Sequence, residues 1–258
     1  MKISLKNLFL FSLLCYLSGC YLYSRNYKYS DITVKEVFDF PKQTPSGEND
    51  KIQDCCKGKR CWDFEPVARY EITAFVFGHS NRTLADFSEI ITDLGLLWGE
   101  NASKKYYKDV DLKVLLSAYY VRWGEGESFN LYHAANNHMI TCDNKAYKKL
   151  RTIRTGDQVR LKGYLVDAKI SDKPYEKDPL KIMEWKTSRT REDTGGNSCE
   201  LFYVNSADDI EILAKGPRHW LYLKYFGLCS LIAVIIFWVY NFNKKTKAEL
   251  AEAQRNTF

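Results

Sequence analysis

Arg154-Thr-Gly-Asp-Gln-Val-Arg-Leu-Lys-Gly-Tyr-Leu-Val-Asp-Ala168 is the stretch from which we interpret the rest of the chain. Its Thr155-Gly156-Asp157 segment is typical of a turn, and apolar and polar residues alternate after it. One face of the predicted strand carries Val159, Leu161, Gly163 and Leu165, and the other carries Arg160, Lys162 and Tyr164. A glycine in mid-strand indicates a bulge or a sharp bend, which a small barrel needs where a strand turns its corner. The stretch therefore predicts the central strand of a small β-barrel.

Other segments predict further short elements around this strand. Strand-like patterns cover residues 31–38, 69–77, 119–123, 138–141, 199–204 and 210–213. Apolar residues from Thr83 to Leu97 follow the helical spacing, and a short helix is predicted through Ala146, Tyr147 and Leu150. The fold class is therefore predicted as mainly β (α+β): a small, partly open OB-like β-barrel with one or two helices, plus a C-terminal transmembrane helix.

The N-terminus has the parts of a secretory signal. Lys2 and Lys6 precede an apolar run from Leu8 to Leu17, and Leu17-Ser18-Gly19-Cys20 follows. This ending resembles the bacterial lipobox, in which the signal is removed and the cysteine, here Cys20, becomes the lipidated N-terminus. The alternative is an uncleaved anchor helix, because apolar residues continue through Tyr23. Both alternatives direct the chain to a membrane.

A second apolar segment lies near the C-terminus. Residues 220–242 are almost wholly apolar, with one charged residue, Lys224, near the start, and their length matches the roughly 20 residues that span a bilayer. Trp220 and Tyr222 on one side, with Trp238 and Tyr240 on the other, are typical of interfacial aromatic belts. We therefore predict a single C-terminal span.

Charged residues are distributed unevenly along the 258-residue chain, whose formal net charge is +6. Two lysines lie within residues 1–20, and residues 215–258 hold seven Lys or Arg against two Glu. Removing these end charges of +2 and +5 leaves −1 for residues 21–214. A near-neutral domain lacks the basic surface that tracks phosphates. We therefore expect no nucleic-acid partner, with the basic ends beside the membrane.

These patterns predict a domain organisation and a location. We predict a signal peptide or anchor (1–20), a spacer with a cysteine cluster (21–66), an OB-like extracytoplasmic domain (67–214), a transmembrane helix (220–242) and a cytoplasmic helical tail (243–258). An exported N-terminus places the main domain in the periplasm. The predicted location is the bacterial inner membrane.

Several short motifs resemble those of a group of uncharacterised bacterial envelope proteins. They are Trp98-Gly99, Arg122-Trp123, His133-Ala-Ala-Asn-Asn-His-Met-Ile140, Gly156-Asp-Gln-Val-Arg-Leu-Lys-Gly163 and Ser188-Arg-Thr-Arg-Glu-Asp-Thr-Gly195 with Cys199-Glu200. The resemblance covers roughly residues 70–205. In that group, proline and alanine follow the His-Met-Ile motif, whereas Thr141 and Cys142 stand here. The resemblance implies only a bacterial origin and one continuous domain, whereas the departure at Cys142 predicts a second thiol opposite Cys199.

One cysteine and one histidine suggest nucleophilic chemistry. Cys199 and His138 are candidates for a nucleophile–base pair, with Asp193 or Asn137 orienting the imidazole. The alternative is a Cys142–Cys199 disulfide, which an oxidising compartment permits. Asp193-Thr-Gly195 resembles the active-site triplet of aspartic proteases, but a single copy followed by Gly196-Asn197 favours a hairpin loop.

The remaining candidates concern binding. Arg189 and Arg191 are predicted either to hold their loop through charged hydrogen bonds or to bind an anionic ligand, and Asn137 is a third candidate. We predict no metal site, because His133 and His138 lie five residues apart and on opposite faces of a continuous strand. No cofactor is expected. Trp98, Trp123 and Trp185 predict either core packing or a binding surface.

Three functional hypotheses follow. The leading one is a membrane-anchored periplasmic protein that binds another envelope protein without catalysing a reaction. The second is a thiol-dependent hydrolase that acts on envelope material through Cys199 and His138. The third is an accessory subunit of a secretion or conjugation apparatus.

Overall fold

The computed structural model describes residues 4–24, 29–57, 60–80, 92–115, 118–172, 183–190 and 199–255. The chain divides into two compact units. Tyr29–Gly216 forms the larger unit, and the two chain ends, Met1–Lys28 and Pro217–Phe258, together form the other.

The described part of the larger unit is built mainly from strands. These are β1 (Lys42–Pro45), β2 (Cys55–Lys57), β3 (Arg60–Ser80), β4 (Thr92–Leu97), β5 (Asp111–Leu115), β6 (Ala118–Arg122), β7 (Ala134–Ile140), β8 (Gln158–Asp172), β9 (Met183–Trp185), β10 (Glu200–Tyr203) and β11 (Ile210–Ala214). Its α-helices are α2 (Gly99–Ser103) and α3 (Asn144–Leu150). The unit of the chain ends holds α1 (Leu5–Ser24) and α4 (His219–Arg255).

Five strands close into a ring. Antiparallel ladders join β3 to β4 and β4 to β7, and a parallel ladder joins β7 to β10. Antiparallel ladders from β10 to β8 and from β8 to β3 complete the circuit. Strands β1 and β2 pair with β3, β9 and β11 pair with β8, and β5 and β6 form a separate hairpin. The fold is therefore a mixed α+β fold that is rich in sheet.

The predicted alternating strand is confirmed as β8, which begins at Gln158 after the turn at Thr155-Gly156. Val159, Leu161 and Leu165 are buried in the cluster that fills the ring, because alternate side chains of a strand point to the same side. Lys162 on the opposite face is exposed. The interior cluster also contains buried residues of the other ring strands, among them Tyr70, Ile72, Leu94, Leu96, Met139 and Phe202.

Gly163 lies where β8 changes its partner. Tyr164 and Leu165 pair with β10, whereas Leu161 pairs with Ile210 of β11. A Cβ atom at Gly163 would overlap the main-chain carbonyl oxygen of Tyr203 and lie 3.1 Å from the Phe202 ring. The glycine therefore allows the β10 backbone to approach β8 closely at the partner change.

The turn before β8 is held by a buried aspartate. The Asp157 carboxylate accepts hydrogen bonds from the Arg154 N–H (2.8 Å) and the Gly216 N–H (2.9 Å). The main-chain carbonyl of Asp157 accepts from the Val76 N–H at 2.8 Å. The Asp157 side chain thus joins the turn to Gly216 at the end of the larger unit. The Asp157 main chain joins the same turn to β3.

The predicted helix from Thr83 to Leu97 is wrong in its described part. Residues 81–91 lie outside the described residues, and Thr92–Leu97 is the buried strand β4. The β4 backbone is hydrogen-bonded to β3 on one side and to β7 on the other. A Cβ atom at Gly95 would overlap the Phe77 ring and Val114. Tertiary packing therefore overrides the local helical spacing.

The segment predicted as a spacer belongs to the larger unit from Tyr29 onward. The Tyr29 hydroxyl donates to the Phe77 carbonyl at 2.8 Å, and the N–H groups of Thr33 and Val34 donate to the Gln158 side chain at 2.8 Å each. The strand expected in residues 31–38 is absent from this described segment, and a 3₁₀ turn forms at Lys35–Phe38.

Two disulfides hold the cysteine cluster. Cys56 is bonded to Cys61 across the β2–β3 hairpin. Cys55 is bonded to Cys142, 87 residues away, beyond the end of β7. The second bond therefore ties the β2–β3 hairpin to the end of a central ring strand.

A bidentate ion pair anchors the loop before β2. The Arg69 guanidinium donates to Asp50 Oδ1 and Oδ2, with Nε 2.9 Å from both oxygens. The carboxylate also accepts from the Gly47 N–H at 2.9 Å and from the Tyr164 hydroxyl at 3.1 Å. The Asp50 side chain is only 4% exposed. The hydrogen bonds from Arg69 and from the Gly47 N–H lower the pKa of Asp50 from 3.8 to about 2.

This ion pair predicts a dependence of stability on acid. Because the folded-state pKa lies below the unfolded value of about 3.9, Asp50 stabilises the fold above pH 4 and loses this contribution as the pH falls toward 2. We expect the free energy of unfolding of the wild type to fall more steeply across this window than that of Asp50→Asn. Urea titrations at several pH values measure the difference. Parallel curves for the two proteins would exclude this contribution.

Among the described residues, two helices are long and apolar enough to cross a membrane. They are Leu5–Tyr23 within α1 and His219–Leu250 within α4. Helix α1 continues through Cys20 to Ser24, and α4 continues without a break through the predicted tail to Arg255.

Candidate functional site

The most distinctive polar contact of the larger unit joins a carboxylate to an imidazole. Asp93 on β4 lies directly opposite His138 on β7, and Asp93 Oδ1 is 2.6 Å from His138 Nδ1. Their side chains are 0% and 3% exposed. Because a carboxylate oxygen can only accept, Nδ1–H of His138 is the donor. The bond therefore fixes the ring orientation and leaves Nε2 as the second polar atom of the imidazole.

An indole lies against this imidazole. The rings of Trp185 and His138 are 4.8 Å apart at their centroids. Trp185 is positioned by β9, which pairs with β8 and places Trp185 opposite Ala168. Trp185 also lines a surface cleft, so the aspartate–histidine pair lies behind one wall of that cleft.

The cleft has a volume of about 520 Å³ and a lining of mixed charge. Its carboxylates are Asp54, Asp63, Glu65, Asp167 and Glu184, and its cations are Lys169, Lys186 and Arg189. Phe64 and Trp185 contribute aromatic surface. Such a lining suits a ligand that carries charges of both signs and a flat apolar group.

Arg189, a predicted ligand-binding residue, lines this cleft and is held by Asp167. The Arg189 guanidinium donates to Asp167 Oδ2 at 2.9 Å, and the Thr187 N–H donates to Asp167 Oδ1 at the same distance. The Arg189 side chain is 62% exposed. It can therefore both hold its loop and contact a ligand.

Cys199 lies beside the histidine strand. The parallel ladder places Glu200 opposite Asn137, so Cys199 lies next to Asn136. Asn136 Nδ2 is 3.9 Å from the Cys199 sulfur, which remains a thiol. His138 is two residues beyond Asn136 and therefore shares its face of the sheet. Cys199 and His138 thus lie on the same side of adjacent strands.

Tyr119 is close to this thiol. Burial raises the pKa of Tyr119 to about 12, and electrostatic interactions with Glu200 and Cys199 act in the same direction. The Tyr119 ring, on β6, also packs edge-on against Phe77 of β3.

The proposed role of Asn137 in orienting the imidazole is wrong. Asn137 is adjacent to His138 on one strand, so the two side chains point to opposite sides. Asn137 is fully buried and faces the interior cluster, between Leu94 and Glu200. Within the described part of the chain, neither amide atom of Asn137 has a hydrogen-bond partner. The carboxylate of Asp93 orients the imidazole instead.

The predicted Cys142–Cys199 disulfide does not form. Cys142 is bonded to Cys55, and Cys199 remains a thiol. The parallel register explains the difference, because Cys199 lies beside Asn136 and Cys142 lies six residues further along that chain. At about 3.3 Å per residue in an extended chain, six residues separate the two positions by roughly 20 Å, which is too far for a disulfide.

The other predicted site residues fall in different places. Asp193 and Arg191 lie outside the described residues, so their predicted roles stay predictions. Cys20, the predicted lipidation site, lies in α1. The structure therefore joins His138 to Asp93, places Cys199 beside Asn136 on the same side of the sheet, and places Arg189 at the neighbouring cleft.

The remaining histidines of the larger unit make separate contacts. Nδ1 of His133 accepts from the Glu100 N–H at 3.0 Å, and burial lowers the His133 pKa. Nδ1 of His79 is 3.3 Å from the Thr155 hydroxyl. Where the structure describes the chain, no three His, Cys, Asp or Glu side chains meet as a metal site requires.

Asp93 is the site residue that sequence reasoning missed. Asp93 lies inside the stretch that was predicted as a helix. It was therefore not expected to face a neighbouring strand. The only local signal is Asp93 before Leu94-Gly95-Leu96, a short alternation that the longer helical pattern hides. A charged residue on a buried strand requires a hydrogen-bonding or charged partner, but the sequence does not say which residue supplies it.

Comparisons with protein-family models, with curated proteins and with solved structures found no match for this chain.

Proposed function

We propose that this chain is a membrane-tethered protein of the bacterial inner membrane whose larger unit binds another envelope protein in the periplasm. The observation that carries the proposal is the order of its parts. Two apolar helices bracket a unit that contains two disulfides. If both helices cross the bilayer, the chain ends share one side and the unit lies on the other. Disulfides persist in oxidising compartments, which favours the periplasm for that unit.

We further propose that the ring is an OB-like barrel. Numbered in chain order, the five ring strands follow the circuit 1-2-3-5-4-1, with strands 3 and 5 parallel. Helix α3 lies between the third strand, β7, and the fourth, β8. A five-stranded, partly open barrel with these connections is the arrangement that the OB class uses for binding.

The cleft beside Trp185 is the proposed binding surface. Its exposed Glu184 and Lys186 offer charges of both signs, and Trp185 offers a flat aromatic face between them. Protein interfaces are enriched in such aromatic anchors with polar surroundings. The near-neutral charge of residues 21–214 agrees with a protein partner rather than a nucleic acid.

Photo-crosslinking in living cells tests this surface. A benzophenone amino acid replaces Glu184 at the cleft or, as a control, the exposed Glu125 in the turn between β6 and β7. We expect a discrete adduct with another envelope protein from position 184 and none from position 125. Identical patterns at both positions, or no adduct at position 184, would overturn the assignment of the cleft.

The second candidate is a thiol-dependent hydrolase. In this candidate, Cys199 is the nucleophile, His138 its base and Asp93 the group that orients the imidazole. The 2.6 Å bond between Asp93 and His138 favours it, as does the placement of Cys199 on the same face of the next strand. In this candidate, Asp93 has the orienting role that the sequence suggested for Asn137, and the suggested role of Asp193 stays a prediction.

The rate of alkylation of Cys199 separates the two candidates. A thiolate paired with an imidazolium reacts with iodoacetamide well below the ordinary thiol pKa of about 8.5. For a hydrolase, the midpoint of the rate against pH lies below this value, and His138→Gln returns it to about 8.5. Mass spectrometry of the Cys199 peptide isolates this thiol from the cysteines of α1 and α4. A midpoint near 8.5 that His138→Gln leaves unchanged excludes the hydrolase.

A further inference from the structure

The two terminal helices are joined by a contact between polar side chains. The hydroxyls of Ser12 in α1 and Ser230 in α4 are 2.6 Å apart. Ser12 also donates to the Leu8 carbonyl at 2.8 Å, so Ser230 is the donor between the helices. Ser12 is 0% exposed, whereas Leu14 two residues later is 63% exposed. The polar position of α1 therefore faces α4, and the leucine faces outward.

Glycines bring the two helix backbones together on one side of this contact, toward the C-terminus of α1. A Cβ atom at Gly19 would lie 2.5 Å from the main-chain nitrogen of Lys224. A Cβ atom at Gly227 would lie 2.7 Å from Cα of Tyr16. Small residues at such positions allow close helix packing in a bilayer, where apolar burial gives no driving force between helices.

The three contacts belong to one antiparallel interface. Ser12 meets Ser230, Tyr16 meets Gly227, and Gly19 meets Lys224. From one contact to the next, the contacting residue on α1 lies three or four positions closer to the C-terminus of α1. Its partner on α4 lies three positions closer to the N-terminus of α4, as expected for antiparallel helices. Large apolar side chains such as Leu10 and Leu17, which are 52% and 54% exposed, lie on other faces. Helix α1 thus has one face that fits α4 and others that fit lipid.

We infer that α1 is retained in the mature protein as the first helix of a transmembrane hairpin with α4. In this inference, Gly19 packs against α4 and is not part of the processing site that the sequence suggested. Cys20 keeps its thiol and carries no lipid. Helix α1 also extends one turn beyond Cys20, to Ser24. This inference rests on the proposed membrane insertion of both helices and is independent of any ligand of the cleft.

The first experiment measures the intact mass of the wild-type protein purified from membranes. We expect the unprocessed chain of 30.1 kDa without an added lipid. The wild type is required here because Cys20 must be present for lipoprotein processing. A shorter, lipid-modified chain that still resists extraction by alkaline carbonate would overturn the retained helix while leaving the membrane tether intact. A chain that carbonate releases would contradict both.

The second experiment tests the pairing of the helices by oxidative crosslinking. In a background with Cys15, Cys20 and Cys229 changed to alanine, Ser12→Cys/Ser230→Cys is compared with Leu14→Cys/Ser230→Cys. Maleimide-PEG counts thiols in denatured protein before and after oxidation in membranes. We expect both engineered thiols to disappear on oxidation in the first variant and to persist in the control. Equal loss or equal persistence in the two variants would overturn the interface.

Discussion

We expect Gly163→Ala to lower the free energy of unfolding of the larger unit by roughly 3–5 kcal/mol, combining the cost of overpacking with that of a strained backbone. The new Cβ atom would overlap the main-chain carbonyl oxygen of Tyr203. This oxygen cannot move aside as a flexible side chain could, because it is part of the backbone of β10. Since a domain is typically stable by only 5–15 kcal/mol, this change removes a large fraction of the total. Urea titration of the full-length protein in detergent, followed by the fluorescence of the buried Trp62 and Trp98, measures it.

Gly47→Ala is the matched control for Gly163→Ala. The nearest neighbour of a Cβ atom at Gly47 is Asp50 Oδ2 at 4.0 Å, an ordinary van der Waals contact. We expect this variant to unfold within about 0.5 kcal/mol of the wild type. Comparable losses for the two variants would show that Gly163 has no special role at the partner change between β10 and β11.

We expect removal of the Cys55–Cys142 bond to cost about 4–5 kcal/mol. The bond closes a segment of 87 residues, and the chain-entropy model assigns a stabilisation of this size to such a loop. The variant Cys55→Ala/Cys142→Ala retains the β2–β3 hairpin but frees it from the end of β7. The same urea titration under non-reducing conditions measures the loss.

The second disulfide provides the internal comparison. Cys56 and Cys61 are separated by five residues, for which the same model gives only about 2 kcal/mol. Cys56→Ala/Cys61→Ala should therefore lose less than half as much stability. If this variant were the less stable of the two, the long-range bond would not be the main covalent support of the fold.

Much of the secondary structure was predictable, because whether a segment forms a strand or a helix depends largely on the spacing of apolar residues within that segment. The alternation from Val159 to Leu165 predicted β8, and the spacing of Ala146, Tyr147 and Leu150 predicted α3. The residues from Thr92 to Leu97 were not predictable in this way. Their apolar spacing fits a helix, and only the ladders with β3 and β7 make them a strand.

The candidate site was predictable only in part. His138 and Cys199 were recognised from residue type, and the fold places them on one face of adjacent strands. Asp93 was missed because nothing near it in the sequence indicates a histidine 45 residues away. Asn137 was misassigned because adjacency in a strand places two side chains on opposite sides.

The sequence by itself determined the apolar segments at the chain ends and the alternating strand that opens at Gln158, since hydropathy and its period are properties of consecutive residues. Tertiary structure decided which of these elements face one another: Asp93 with His138, Cys142 with Cys55, and α1 with α4. Register between distant segments depends on how the whole ring closes around its core. No period within a single strand or helix encodes that closure.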